Sequence, residues 1–226
     1  LLPAPGDVLT RFATDAALFG KHLGFTSIAA LAGLLLGLLV GWVCAVGFSL
    51  SRGLQQAVYP YLIAVKSTPI VVVAPLVALW MGTELESRIV VVTLTTFFPT
   101  LVNGLRGLES TDESLLEVAA VYGARRSKVF WHLRLPGSIP FLFAGIRVSA
   151  VLAVVAAVVA EMLGADSGLG FVLMVSIYRI DTEALFCVTA LSSLLSLTVY
   201  GAVVLSERLL LPWVGGANLN DEWTAR

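Results

Sequence analysis

Five long apolar runs dominate the chain, roughly Leu23 to Ser49, Ala57 to Met81, Ile89 to Leu108, Ile139 to Leu163 and Ala184 to Leu211, each bounded by charged or turn-forming residues. A bilayer core of about 30 Å takes about 20 apolar residues at about 1.5 Å of helical rise each. Every run reaches that length. The composition agrees, with 58% of the 226 residues hydrophobic and 13% charged, and a mean hydropathy of +0.93. Soluble domains average about 25% charged residues, so the chain reads as an integral membrane protein lying in a lipid bilayer.

Membrane-spanning strands would alternate polar and apolar residues over about ten positions. The stretches Val71–Ala74 and Val151–Ala160 do not alternate. The predicted fold class is therefore all-α, a polytopic transmembrane helical bundle. The second run carries Pro60, Pro69 and Pro75, each of which removes a backbone donor, so a kinked or divided span is expected there. The first run places Ala29, Gly33, Gly37, Gly41 and Ala45 at four-residue spacing, a cleared face for close helix approach. Spacing alone leaves two partners for that face, a helix of the same subunit or one of a second subunit.

Several function classes are excluded or weakened. Fourteen Lys and Arg against fifteen Asp and Glu give no bulk attraction to phosphates, and no nucleic-acid partner is expected. Cys44 and Cys187 sit in apolar runs without metal-ligand or disulfide-framework spacing. His22 and His132 are far apart, lack a ligating neighbour, and read as solvated or interfacial histidines rather than metal ligands. An integral-membrane enzyme would need His, Asp, Glu or Cys converging at one depth, and none do. No Gly-x-x-x-x-Gly-Lys-Ser/Thr is present, so the chain has no P-loop with which to cradle a nucleotide.

Basic residues in short connections are retained on the cytoplasmic side. The connection over 109–138 carries Arg125, Arg126, Lys128 and Arg134, with Arg106 and Arg147 just inside the flanking spans. Alternation then places Arg52 and the tail from Pro212, with Arg208 and Arg226, on the same side. Arg11, Lys21, Arg88 and Arg179 fall outside, and Lys66, within the second run, is the one cation assigned to neither side. The chain opens at Leu1 without a methionine or signal-peptide pattern. An external N-terminus is awkward to translocate, so a further span upstream is expected.

Between Glu109 and Gly137 the sequence has helix signals of its own. Ser110-x-x-Glu113 and Ser114-x-x-Glu117 are possible capping boxes, Leu115, Leu116, Ala119 and Ala120 offer an apolar face, and Gly123 is a natural terminator. A second short helix is predicted, capped by Ser127, with Val129, Phe130 and Leu133 apolar, and ended by Pro136. Two readings stand on periodicity: an amphipathic linker on the membrane surface, or a surface built to dock another protein.

Glu117-Val118-Ala119-x-x-x-Gly123, nine residues, then Leu133-Arg134-Leu135-Pro136 resembles the "EAA" loop of the permease subunits of bacterial ATP-binding-cassette importers, with Val118 and Leu133 as conservative departures. The resemblance runs along nearly the whole chain and is strongest to the nitrate, sulfonate and taurine branch. Leu1-Leu2-Pro3-Ala4-Pro5, Lys66-Ser67-Thr68-Pro69, Ala74-Pro75-Leu76, Trp80-Met81-Gly82, Phe97-Phe98-Pro99 and Asn103 carry it before the loop. Pro140, Gly145-Ile146-Arg147, Ala160-Glu161 and Gly168-Leu169-Gly170 carry it after.

This resemblance implies one permease domain over 1–226 with the type I importer (MetI-like) fold, in a bacterial cytoplasmic (inner) membrane. It implies a second permease subunit, two cytoplasmic ATPase subunits holding ATP and Mg, and an external solute-binding protein. No cofactor is expected on this chain, and no catalytic or metal-binding residue. The branch carries six spans where five are visible, matching the expected upstream one. The coupling helix that docks the ATPase falls, by the same likeness, on Glu117, Ala119, Ala120, Gly123, Ala124 and Arg125, with Leu135 and Pro136 closing the loop. The alternative from another class is an autonomous secondary carrier.

Charges at depth each call for a role, at about 2.5–3.5 kcal/mol apiece on insertion scales. Lys66 either steers an anion through the pathway, or snorkels or is paired internally. Arg147 is near enough to the inner end to snorkel. Glu161 either pairs with Arg179 or helps close the external gate. Asn103 and Ser149 are uncharged pathway candidates.

Overall fold

The structure, a computed structural model, describes residues 3–212. Leu1, Leu2 and the tail beyond residue 212 with its expected cytoplasmic Arg226 lie outside the described residues. Ten α-helices follow one another: α1 (Pro5–Thr14), α2 (Ala16–Leu50), α3 (Arg52–Ser67), α4 (Ile70–Met81), α5 (Leu85–Glu109), α6 (Glu113–Val121), α7 (Arg126–Val129), α8 (Leu135–Met162), α9 (Leu169–Arg179) and α10 (Thr182–Leu210). No strand occurs among the described residues.

Helices α2, α5 and α10, and the continuous stretch Arg126–Met162, are long and apolar enough to cross a membrane. A fifth crossing forms if α3 and α4 count as one span, bent by 97°. The bend has a local cause. A residue before proline is pushed out of the helical region, and Thr68, before Pro69, is extended at φ −75°, ψ 124°.

The core is built around α5. Lipid gives helices no hydrophobic reason to associate, so packing and interhelical hydrogen bonds hold them. The small-residue face of α2 lies on α5: Cβ atoms added at Gly33, Gly37 and Gly41 would run into Val92, Thr96 and the Phe97 carbonyl. Of the two partners left open by the spacing, the ridge therefore meets a helix of its own subunit. Thr93 and Thr96 of α5 add hydroxyl contacts to the Gly33 carbonyl at 3.3 and 3.4 Å. On its other side α5 meets α8, and Ala29, Ala30, Leu34, Val92, Ala150, Ala153, Val154 and Ala157 form the buried junction of the three helices.

Two segments outside the five apolar runs are helical. Helix α1 is tied to the α9–α10 turn by Arg11, which bonds Asp15 at 2.8 Å and Asp181 at 2.9 Å. Helix α9 occupies most of the expected outer connection over 164–183, and its apolar side, Leu169 and Val172, is buried with Phe19, Ala184 and Val188. Eleven residues are too few to span a bilayer, and a length criterion passes over them.

Candidate functional site

The connection over 109–138 is anchored at its base and free at its tip. At the base, Gly107 of α5 lies against Ser138 and Phe141 of α8, and the Ser138 hydroxyl donates to the Leu135 carbonyl at 2.7 Å. At the tip, none of the α6 residues is buried. Asp112 begins the helix, its carboxylate accepting the Ser114 N–H at 2.9 Å, and that bond holds the Asp112 carboxyl below its ordinary range. The capping boxes expected at Ser110 and Ser114 are not used, because Asp112 sits at the entry and reaches the same orphan donors first.

The far end of α6 closes as a Schellman turn. Gly123 N–H donates to the Ala120 carbonyl and Ala124 N–H to the Ala119 carbonyl, each at 2.9 Å, with Gly123 at φ +67°. Six-to-one and five-to-two bonds with a left-handed residue define this cap, and the left-handed region suits glycine because a Cβ is penalised there. Glu117, Ala120, Gly123 and Arg125 are exposed, while Ala119 and Ala124 are half-buried.

The apolar residues of α6 do not form the single expected face. Leu116 and Ala119 are half-buried, whereas Leu115, Val118, Val121 and Tyr122 are exposed, the last two by 85% each. Beside them lies a groove of about 520 Å³ bordered by Ala119, Tyr122, Gly123, Lys128, His132 and Leu133. Arg125 and Lys128 are exposed on its rim, and Arg126, next in the chain, is exposed as well.

The second short helix does not end at Pro136. Helix α7 starts after Arg125 without a side-chain cap, so Ser127 caps nothing, and it continues through a wide π turn, Phe130–Arg134, into α8. Pro136 lies in the first turn of α8. Proline has no N–H for the carbonyl four residues back and its ring crowds that carbonyl; the wide turn at 130–134 absorbs the mismatch, and the helix runs on. Leu135 is half-buried and Pro136 exposed.

The polar residues singled out within the spans scatter. Lys66, in the last turn of α3, places Nζ 4.5 Å from the centroid of Phe98, a cation–π contact. Asn103 donates to the Pro99 carbonyl of its own helix at 2.8 Å. Ser149 is wholly buried, donates to the Thr96 carbonyl at 2.8 Å and lies 3.2 Å from Thr100 Oγ1, so it joins α8 to α5 and faces no open space. Arg147 pairs with Glu207 of α10, Nε to Oε2 at 3.4 Å.

Glu161 is buried, and neither of its observed partners is Arg179. Its Oε2 accepts from Thr26 Oγ1 at 2.8 Å and from Gly170 N–H at 3.0 Å. Leu169 N–H donates to Thr26 Oγ1 at 2.8 Å, and Gly168 N–H to His22 Nδ1 at 3.0 Å. Three successive N–H groups at the start of α9 are thus satisfied by side chains of α2 and α8. A carboxylate at a helix N-terminus also meets the positive end of the helix dipole. His22, expected at a solvated or interfacial position, is instead buried.

Close by, Arg88 is buried and donates to the Thr83 and Ser167 carbonyls and to Ser167 Oγ and Asp166 Oδ1, at 3.1 to 3.3 Å. The Ser167 hydroxyl and this guanidinium hold the exposed Asp166 carboxyl below its ordinary range. The residues missed from sequence are therefore His22, Thr26 and Arg88. The available signal was His22-x-x-x-Thr26, two polar residues one helical turn apart at the head of an apolar run.

A loop closed as a rigid helix, standing off a bundle of membrane-crossing helices, is the geometry with which the sequence relationships agree. Residues 33–211 match the model of the family described as "binding-protein-dependent transport system inner membrane component". The chain belongs to this family. It is 36% identical to the riboflavin transport system permease protein RibX of Chloroflexus aurantiacus over 94% of this chain and 80% of that protein. It is 33% identical to the formylaminopyrimidine transport permease protein ThiX of Halalkalibacterium halodurans, over 94% and 86%. To the taurine transport system permease protein TauC of Escherichia coli it is 26% identical, over 95% and 80%.

The fold is shared with solved ABC importers. An inward-facing MetNI methionine ABC transporter aligns at a TM-score of 0.74 and 17% identity, covering 86% of this chain and 96% of that one. An amino acid ABC transporter aligns at 0.71 and 17%, covering 88% and 97%. This binding-protein-dependent permease is thus an all-α, multi-pass membrane protein with the MetI-type fold, the permease subunit of an ABC importer. Such subunits are not themselves enzymes.

Proposed function

We propose that this permease passes a small solute inward across a bacterial cytoplasmic membrane, with the 109–138 loop on the cytoplasmic side and α6 seated in a partner ATPase subunit. The single observation that carries the reading is α6 itself. It is a helix with fixed ends and no buried residue, and it presents Leu115, Val118, Val121 and Tyr122 to solvent. Exposed apolar groups rimmed by polar ones mark interaction surfaces. Arg125, Arg126 and Lys128 give that surface a cationic edge, which agrees with cytoplasmic retention and with an acidic rim on the partner.

Docking in this way makes Glu117, Ala119, Ala120, Gly123, Ala124 and Arg125 the transmitting surface. Leu135 and Pro136 carry the movement into α8, because α7, the wide turn and α8 form one continuous helical stretch. ATP and Mg belong to the ATPase pair, and the working assembly has two permease subunits and an external solute-binding protein. The transported solute is of the small organic or sulfonate-like kind that the names of the relatives describe.

The test is a thiol cross-link. Val121→Cys, paired with single cysteines around the receiving cleft of the copurified ATPase, should give one dominant cross-linked product, whose yield changes with ATP. Absence of any such product at Val121 and also at Tyr122→Cys would reject α6 as the docking helix.

A further inference from the structure

A groove of about 680 Å³ runs between α8 and α10, walled by valines including Val151, Val155 and Val159 on one side and by Ser192, Ser193, Ser196 and Tyr200 on the other. Val151, Val155 and Val159 are spaced by four residues and share one stripe of α8. Through Val151 and Tyr200 the groove continues into a smaller one, about 470 Å³, that ends at Arg147, whose partner is Glu207. Ser193, Ser196, Tyr200 and Glu207 are spaced by three, four and seven residues, so they share one stripe of α10.

The hydroxyls in this groove differ from all others in the long helices. Past the first turn of α2, α3, α5, α8, α9 and α10, the other serines and threonines each bond a carbonyl or carboxylate of the protein. Thr189, Thr198 and Ser206, exposed on α10 outside the groove, bond the carbonyl one turn back. That bond is how a hydroxyl satisfies itself against lipid. Ser193 and Ser196 take part in no hydrogen bond among the described residues, and Ser192 Oγ is screened from solvent with no partner. An unmatched hydroxyl buried in an apolar setting costs about 1–3 kcal/mol, which falls on Ser192; Ser193 and Ser196 stand open beside it, and the three together offer a polar visitor unused hydrogen-bonding groups.

We infer that this groove is the wall of the translocation pathway on which the solute hydrogen-bonds, through Ser192, Ser193, Ser196 and Tyr200. The inference rests on the permease reading and deepens it. No charged side chain lines the larger groove, and Arg147 at the inner end is already matched by Glu207. The wall therefore suits a small organic solute, with an apolar body for the valines and hydrogen-bonding edges for the hydroxyls, in preference to a bare inorganic anion. The volume is within the range of about 300–1,000 Å³ typical of small-molecule sites. An acyl chain offers those hydroxyls nothing.

The experiment is cysteine accessibility in the assembled importer in membranes, probed with a membrane-impermeant trimethylammonium methanethiosulfonate and blanked against the chain with only Cys44 and Cys187. A thiol reacts as its thiolate and needs water to ionise. Ser193→Cys, Ser196→Cys and, on the facing wall, Val155→Cys should react at least about tenfold faster than Leu194→Cys and Leu205→Cys, which are exposed on α10 but do not line the groove. Equal or slower reaction at 193, 196 and 155 would place the groove against lipid and overturn the inference. Near-quantitative disulfide formation between two copies at 193 or 196 would overturn it too, by putting a second subunit's helix there. An ATPase missing from the preparation would count against the α6 docking instead, and the labelling pattern reads the groove independently of it.

Discussion

Thr26 and Glu161, 135 positions apart in the chain, meet at 2.8 Å in the buried junction of α2, α8 and α9. The same carboxylate oxygen takes the Gly170 N–H, so one side chain fastens a long helix, its own helix and the start of a short one. This arrangement fixes the segment between two spans, next to the Arg88–Asp166 contact.

Glu161→Ala should strand the Gly170 N–H in a buried site, with the Thr26 hydroxyl losing its carboxylate, at about 1–3 kcal/mol for each unpaired group. Glu161→Gln keeps a carbonyl acceptor and should lose clearly less. Thermal unfolding of the detergent-solubilised protein, read by tryptophan fluorescence, should rank them native, Gln, Ala. Equal midpoints for Gln and Ala would contradict the hydrogen-bond account.

Gly37 has no room for a side chain, since Thr96 and the Phe97 amide stand where a Cβ would go. Gly37→Val should separate α2 from α5 and destabilise the protein by at least about 1–3 kcal/mol, the usual range for overpacking. Gly53, on an open surface of α3, is the control; Gly53→Ala should raise or preserve stability.

At Gly123 the left-handed backbone sets the order. Gly123→Asn should keep the turn, because asparagine visits that region, while Gly123→Val should cost about 1–2 kcal/mol locally and open the Schellman bonds. Uptake by the reconstituted importer should fall sharply for Val and little for Asn, with the spans intact by circular dichroism in both.

The Asp112 cap gives α6 a pH dependence of known sign. Its carboxyl is held below its unfolded-state value, so the stabilisation is present above the ordinary carboxylate range and is lost as the pH falls through the lowered one. Amide exchange at Ser114 should therefore speed up on acidification beyond its intrinsic pH trend, and Asp112→Ala should remove that dependence.

Arg147 and Glu207 are both partly buried and face each other across α8 and α10. Removing one leaves the other unpaired, whereas removing both leaves neither. Arg147→Met or Glu207→Leu alone should destabilise more than the double substitution, with a coupling of about 0.5–3 kcal/mol in a double-mutant cycle.

Much of the architecture could be read from the chain because the bilayer imposes a length on each crossing. The break in the second run announced itself through Pro69, and the end of α6 through Gly123. The partner of the glycine face could not be read, since four-residue spacing states that something approaches and not what. Helices α1 and α9 were missed for lack of length, and with α9 went the network around Glu161. Its partner Thr26 lies six helices earlier, on α2, and no periodicity in one segment encodes that meeting. Pro136 misled in the other direction: proline usually ends a helix, but a wide turn ahead of it lets α8 run straight through.

The most direct test of the whole account is extraction of the protein in mild detergent, with mass spectrometry of what accompanies it and an assay of ATP hydrolysis, repeated with Gly123→Val. The account predicts a P-loop ATPase in near-equal amount with the native chain and its loss or uncoupling with the variant. A chain that purifies alone, transports without ATP and is indifferent to Gly123→Val would contradict it.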